Sequence, residues 1–203
     1  ADLGAITVNG VNQGLTIDTD TGAGALNIAS ITGAGAGGVG ATNDITLISG
    51  TGVTTVTGNI GTTIDDLTLQ ENAVTSTGLV DLQGTVTAAT LLTFGQAYAV
   101  TMTGATVAIT DDTNFLNTGI TTLGNATADS LTFTGGLGAT AGAISAAGTI
   151  NTTNTQADLG AITVNGVNQG LTIDTDTGAG ALNIASITGA GAGGVGATND
   201  ITL

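Results

Sequence analysis

The chain contains 203 residues, of which 41% are hydrophobic and 2% aromatic, with 35 glycines and no proline or cysteine. Its 15 acidic side chains have no lysine, arginine or histidine to pair with, so the formal net charge is −15. Nucleic acid is excluded as a partner because its phosphates need cationic side chains, and no apolar run is long enough for membrane insertion. A hydrophobic content this high also argues against a disordered chain.

The first 47 residues recur without change at the other end of the chain. Residues 1–47 and 157–203 are identical, so the offset is 156 residues. The chain therefore holds one full unit, Ala1–Gln156, and the start of the next, Ala157–Leu203. Such repeats are typical of arrays in which each unit packs on its neighbours. We expect 1–203 to be one continuous stretch of a longer tandem array.

Taken in chain order, the sequence shows short segments in which a threonine stands between two apolar residues. Alternation with period two predicts strands whose apolar side chains point to one side and whose threonines point to the other. The clearest segments are Ile6–Val8, Leu15–Ile17, Ile45–Leu47, Leu67–Leu69, Leu92–Phe94, Val100–Met102 and Leu131–Phe133. We expect an interior filled by Ile6, Val8, Leu15, Ile17, Leu26, Ile28, Leu67, Leu69, Phe94 and Phe133.

Glycine and asparagine clusters between these segments predict tight corners, since both residues tolerate positive φ. The spacing of Ile45, Leu67, Leu92, Ile120 and Ile144 indicates coils of about 25 residues, hence about six per repeat. The sequence therefore predicts an all-β fold, a β-solenoid of about 25 residues per coil. A string of small β-sandwich domains and a flat, silk-like cross-β stack are the alternatives.

Paired aspartates are the candidate metal ligands, because hard carboxylate oxygens suit Ca²⁺. Asp18 and Asp20 are expected on one side of their strand, and an extended strand would turn Asp65 and Asp66 to opposite sides. No calcium-binding nonapeptide or EF-hand pattern is present. The alternative to weak cation bridging is a solvated surface that keeps an apolar filament soluble. The candidate ligands are Asp18, Asp20, Asp65, Asp66, Asp111 and Asp112.

Paired carboxylates also suggest polysaccharide cleavage, but such enzymes usually need a cationic side chain near the substrate. We therefore expect no enzymatic activity, no catalytic residue and no cofactor other than Ca²⁺. Thr-x-Thr pairs begin at Thr55, Thr85, Thr101 and Thr132 and resemble those of ice-binding β-solenoids. Ice binding requires a flat array with one pair per coil at constant spacing, whereas these pairs begin at unequal intervals along the chain.

Segments 25–33 (ALNIASITG), 129–150 (DSLTFTGGLGATAGAISAAGTI) and 1–10 (ADLGAITVNG) resemble the β-helical shafts of large repetitive bacterial surface proteins. The similarity is greatest to filamentous-haemagglutinin-like and autotransporter-type adhesins. It implies a right-handed parallel β-helix, secretion, and a structural role as an extracellular or cell-surface filament or adhesin shaft. Expected partners are other copies of the chain, through coil stacking or lateral association, and divalent cations or surface glycans. A Ca²⁺-dependent surface-layer or matrix-binding module is the alternative.

Overall fold

A computed structural model describes residues 1–10, 12–19, 22–34, 43–61, 63–70, 75–189 and 198–203. In these residues the protein is an all-β parallel β-solenoid without helix. Its strands are β1 (Asp2–Asn9), β2 (Gly14–Asp18), β3 (Leu26–Ala34), β4 (Asn43–Ile48), β5 (Val53–Val56), β6 (Ile60–Gly61), β7 (Ile64–Leu69), β8 (Leu79–Leu82), β9 (Val86–Ala88), β10 (Thr90–Leu92), β11 (Ala99–Met102), β12 (Thr106–Ile109), β13 (Thr113–Asn114), β14 (Thr121–Leu123), β15 (Ser130–Phe133), β16 (Leu137–Ala139), β17 (Ile144–Ala146), β18 (Gly148–Asn151), β19 (Ala157–Val164), β20 (Leu171–Asp174), β21 (Leu182–Thr188) and β22 (Ile201–Thr202).

Three parallel sheets, named here faces 1, 2 and 3, run along the solenoid. Face 1 contains β5, β8, β11, β14 and β17. Face 2 contains β6, β9, β12, β15, β18, β20 and β22. Face 3 contains β2, β4, β7, β10, β13 and β16. The chain visits the faces in the order 1, 2, 3, and one such circuit is a coil.

Four longer strands bend round a corner and belong to two faces each. β1 and β3 begin on face 1 and end on face 2, since β3 pairs with β5 through its first half and with β6 through its second. β19 and β21 begin on face 3 and end on face 1, since β19 pairs with β16 and then with β17. Sequence identity between the two copies therefore does not place them on the same faces.

The core is a column of aliphatic side chains enclosed by the three faces. Leu67 and Leu69 are fully buried while Thr68 between them is partly exposed, as period-two alternation predicts. Segments 45–47, 100–102 and 131–133 show the same pattern. The rings of Phe115 and Phe133 meet edge to face with centroids 6.3 Å apart. The expected fold class is thus confirmed, and its right-handedness stays a prediction.

One detail of the expected interior is wrong. Segment 92–94 is shifted by one residue: Leu91 is buried and Leu92 is 39% exposed, whereas Thr93 is buried and Phe94 only half-buried. The shift is stabilised by hydrogen bonds, because the Thr93 hydroxyl donates to the Asn114 carbonyl at 3.0 Å and accepts from the Leu116 N–H at 2.8 Å. A buried hydroxyl with both partners present costs little.

The coil averages about 24 residues, close to the expected 25. The interval between stacked positions is unequal, being short from Ser145 to Thr163 and long from Asn27 to Thr55. Ile120, one of the markers used for spacing, is 48% exposed and outside the strands, so it does not mark a core position. The other interior residues expected from the sequence are buried or half-buried.

Candidate functional site

Mostly polar side chains form one outward row along each face, because stacked strands are in register. Hydroxyl, amide and carboxylate groups therefore dominate the surface that a partner would meet. On face 1 the row is Asp2, Asn27, Thr55, Asp81, Thr101, Thr122, Ser145, Thr163 and Thr188. On face 2 it is Thr7, Thr32, Gly61, Thr87, Ala108, Thr132, Asn151 and Asp174. On face 3 it is Thr16, Thr46, Thr68, Leu92, Asn114, Gly138, Asp158 and Asn183.

The four Thr-x-Thr pairs do not stack on one another in consecutive coils. Those at Thr55 and Thr101 lie on face 1, and those at Thr85 and Thr132 lie on face 2. On face 1 the coil between the two pairs carries Asp81 instead. A flat array with one pair per coil is therefore not built, which argues against ice binding.

Asp65 and Asp66 both lie on the outside of face 3, contrary to the expectation for an extended strand. Opposite them the register of β4 against β7 shifts: Asn43 faces Ile64, whereas Ile45 faces Leu67. The extra residue forms a β-bulge, which keeps Ile64 and Leu67 buried and leaves both aspartates partly exposed.

The bulge brings the two aspartates near Asp44 of β4 and Asp111, which precedes β13. Partial burial, followed by the charges of Asp66, Asp44 and Asp111, raises the pKa of Asp65 above its usual value. Asp66 faces Thr90 across the sheet, and the Thr90 hydroxyl donates to the Asp111 carboxylate at 3.2 Å. These four aspartates are named here the acidic patch. Sequence spacing alone does not reveal that Asp44 belongs to it.

The remaining predicted ligands lie elsewhere. Asp18 is exposed at the end of β2, opposite Ile48, and Asp20 lies outside the described residues. Asp112 accepts a hydrogen bond from the Asn114 amide at 2.9 Å. It lines a shallow cavity of about 220 Å³ together with Asn114, Leu137, Gly138, Thr140, Gln156 and Asp158. The predicted aspartates that the structure describes therefore do not form one site.

Gly138 lines this cavity in the outward row of face 3, and the Asn114 amide occupies the space that a side chain at Gly138 would need. Gly138 stands between Asn114 and Asp158, whose side chains border the gap from either side. Within the described residues, no three acidic, histidine or cysteine side chains are arranged as a metal site. The cavity and the acidic patch therefore offer polar contact surfaces without a built coordination sphere.

A buried polar corner between faces 3 and 1 is a feature that sequence analysis missed. The Gln70 side-chain oxygen accepts from the Ser49 N–H at 3.0 Å and from the Ser76 hydroxyl at 3.3 Å, while its amide donates to the Ser49 hydroxyl at 2.8 Å. Gln70 has a positive φ of 64° and no exposed surface. These contacts give the buried polar side chains of the corner hydrogen-bond partners.

One coil further on, Tyr98 continues this corner. Its hydroxyl donates to the Leu69 carbonyl at 3.0 Å and accepts from the Phe94 N–H at 2.8 Å. Burial raises the pKa of Tyr98 to about 12. The buried hydroxyl thus holds two neighbouring segments of the corner together through its two hydrogen bonds.

The part of the chain that the structure describes contains no helix able to cross a membrane. No known protein family matches the chain, no curated protein is similar to it in sequence, and no solved structure is similar to it. Inference about function therefore depends on how the coils stack and on what their surface presents.

Proposed function

We propose that this protein is a structural shaft, an extracellular filament or adhesin stalk assembled from tandem 156-residue solenoid repeats. One observation carries the proposal: the start of the second repeat stacks on the end of the first repeat without a break. β19 stacks directly on β16 and β17, and Leu159 and Ile162 are almost completely buried there. Because each coil completes the hydrogen bonds and apolar contacts of its neighbour, further repeats add length at little structural cost.

The surface supports this role more than a catalytic one. The outward rows consist mainly of threonine and Asx residues, and the cavity beside Gly138 has no cationic group to hold or activate a substrate. A formal charge of −15 keeps such an apolar rod soluble and limits lateral aggregation. No enzymatic activity is proposed.

The test is to lengthen the chain by one further repeat unit. At about 4.8 Å per coil, one repeat should add roughly 32 Å to the maximum dimension measured by small-angle X-ray scattering. The control carries a glycine- and serine-rich extension of the same length, which should add flexible chain without rigid length. An added repeat that scatters as a separate, loosely tethered body would contradict the shaft.

Location outside the cell requires its own measurement. Intact cells of the source organism should bind an antibody against the folded repeat, and permeabilised cells should bind little more. The denatured mass of the native polypeptide should correspond to many repeats. Labelling that appears only after permeabilisation would contradict the extracellular role while leaving the shaft itself standing.

A cation-dependent binding module is the second candidate, and the acidic patch is the observation that favours it. Four carboxylates that repel one another would release that repulsion on binding Ca²⁺. If this were the function, millimolar Ca²⁺ should raise the melting temperature and a chelator should lower it again. Asp65→Asn together with Asp66→Asn should abolish that response.

A further inference from the structure

The two identical copies stack their coils in the same internal register. In the first copy Leu3 lies opposite Ile28, and Thr16 lies opposite Thr46. In the second copy their equivalents pair in the same way: Leu159 with Ile184 and Thr172 with Thr202. The sequence of the repeat therefore determines which residue stacks on which.

The faces that these residues occupy are nevertheless different. β1 begins on face 1, whereas its equivalent β19 begins on face 3. β2 lies on face 3 and its equivalent β20 on face 2; β4 lies on face 3 and β22 on face 2. Every equivalent strand is displaced by one face, and always in the same direction.

The displacement follows from the number of strand segments in a repeat. Between the start of β1 and the start of β19 the described residues form twenty segments, counting the two halves of β1 and of β3 separately. A coil takes three segments, so one repeat makes six and two-thirds coils. A repeat that ended on a whole number of coils would return to face 1.

We propose that successive repeats of the shaft are each turned by one face, so that every surface of the repeat points in three directions over three repeats. This inference rests on the proposed function, since it extends to an array the offset seen between the two copies. The full period is three repeats, because three times six and two-thirds is the first whole number of coils, twenty. The acidic patch, for example, would be presented on face 3, then face 2, then face 1.

Local structure explains why one sequence tolerates different faces. Gly4 and Gly160 are equivalent and stand at the bends of β1 and β19, one between faces 1 and 2 and the other between faces 3 and 1. A β-carbon on Gly4 would meet nothing within 4 Å, and one on Gly160 would lie 3.3 Å from its nearest atom, the Ala139 carbonyl oxygen. All three faces alternate aliphatic interior with polar exterior, so each accepts the same strand.

The turn changes how equivalent binding sites are spaced along each face of the shaft. Equivalent sites on a straight, unturned shaft would lie in one line about 32 Å apart, close to the diameter of a small folded domain. With the turn, sites on the same face lie about 96 Å apart. Partners bound to neighbouring repeats would therefore lie on different faces of the shaft.

The offset can be tested in the chain as it stands, since it contains no cysteine. Thr163, the equivalent of Thr7 on face 2, should lie directly above Ser145 on face 1. Ser145→Cys with Thr163→Cys, labelled with pyrene, should give strong excimer fluorescence, since stacked strands are about 4.8 Å apart. Asn151→Cys with Thr163→Cys is the matched control: Asn151 is on face 2, where an unturned repeat would place Thr163, and should give none.

Excimer from the Asn151 pair, or from neither pair in a folded chain, would overturn the offset. Melting curves of both doubly substituted chains should match that of the unsubstituted protein. They confirm that an absent excimer reports position and not unfolding.

The array is tested with a chain lengthened by one repeat, which holds three equivalents of Thr16. Cysteine at all three, labelled with small gold clusters and imaged by electron microscopy, should place the clusters on three sides of one rod. Clusters in one line along an intact rod would contradict the proposed turn between repeats but not the proposed shaft. A chain that forms no rod would overturn both the shaft and its turn.

Discussion

The two copies of the 47-residue segment differ in burial although they do not differ in sequence. Leu3 in the first copy is 39% exposed, whereas its equivalent Leu159 is 2% exposed. At the other end of the segment the order reverses, because Leu47 is fully buried and its equivalent Leu203 is 67% exposed. Burial in this protein is therefore conferred by the neighbouring coil and is not a property of the local sequence.

The reversal has a simple geometric cause. Among the described residues, β1 and β2 have a coil on one side only, whereas β19 and β20 are covered by β16, β17 and β18. Conversely, β3 and β4 are covered by β5, β6 and β7, while β21 and β22 have no following coil among the described residues. A comparison of equivalent residues therefore shows separately how much burial comes from the preceding coil and how much from the following coil.

The largest expected effect on stability comes from disrupting the packing of Leu67 on Ile45. Ile45 belongs to the first copy of the 47-residue segment, and its equivalent in the second copy is not covered in this way. Leu67 covers Ile45 and both are fully buried, whereas Ile201, the equivalent of Ile45, has no covering neighbour among the described residues and is 42% exposed. Leu67→Asp buries a charge with no cationic side chain to pair with it, and should cost more than about 4 kcal/mol or prevent folding. Thermal denaturation followed by circular dichroism measures the loss.

Thr68→Asp is the control for that substitution, because Thr68 lies on the outer side of the same strand. It should change stability by less than about 1 kcal/mol. An unchanged melting temperature in Leu67→Asp would contradict the solenoid core itself.

A smaller effect is expected from a matched pair in the two copies. Leu159→Ala should destabilise the coils around β19 by about 2–5 kcal/mol, because it opens a cavity in a packed core. Leu3→Ala makes the same change in the same sequence and should cost less than about 1 kcal/mol, since its side chain is already partly in water. Hydrogen exchange resolved along the chain measures both, because terminal coils can open locally. Equal costs would show that burial does not decide the difference.

Glycine provides a third comparison, with a steric cause. A β-carbon on Gly24 would meet nothing within 4 Å, whereas on the equivalent Gly180 it would lie 2.5 Å from the Thr155 carbonyl oxygen. Gly180→Ala should therefore cost about 1–3 kcal/mol through backbone displacement, and Gly24→Ala should be nearly neutral. Differential scanning calorimetry of the two variants measures the difference. A destabilising Gly24→Ala would indicate that this glycine is needed for its conformation and not for space.

Sequence analysis succeeded where one strand determines its own pattern. Alternation alone places Leu67 and Leu69 inside and Thr68 outside, and the repeat alone indicates stacking. It failed where a neighbour in the next coil decides the outcome. Thr93 is buried because Asn114 and Leu116 supply its hydrogen bonds, and no local signal indicates them.

The fractional part of the coil number and the composition of the acidic patch could not be predicted, for the same reason. Unequal coils hide the fractional turn, because an irregular spacing of core positions is compatible with six coils or with six and two-thirds. The acidic patch depends on a bulge opposite Asn43 and on segments from several coils. The sequence therefore does not predict that Asp44 lies near Asp65. Both predictions need the register between strands that are distant in sequence. No single segment of the repeat indicates that register.

The smallest expected effect concerns pH and the stacking of β7 on β4. The pKa of Asp65 is raised in the folded state, first by partial burial and then by the charges of Asp66, Asp44 and Asp111. The folded protein therefore binds a proton at this site more readily than the unfolded chain, and the site favours folding more as pH falls. The gain should develop between the raised pKa and the ordinary value of 3.8, and stability should decline again as pH rises through that window.

Substitution of this aspartate separates the patch from the rest of the acidic surface. Asp65→Asn should raise the melting temperature slightly at pH 7 and flatten this part of the curve of melting temperature against pH. Asp176→Asn, which removes one charge from an exposed aspartate outside the acidic patch, is the matched control. If Asp65→Asn kept the full slope, repulsion across the stacked β4 and β7 would not be its source, and the slope would have to come from the acidic surface as a whole.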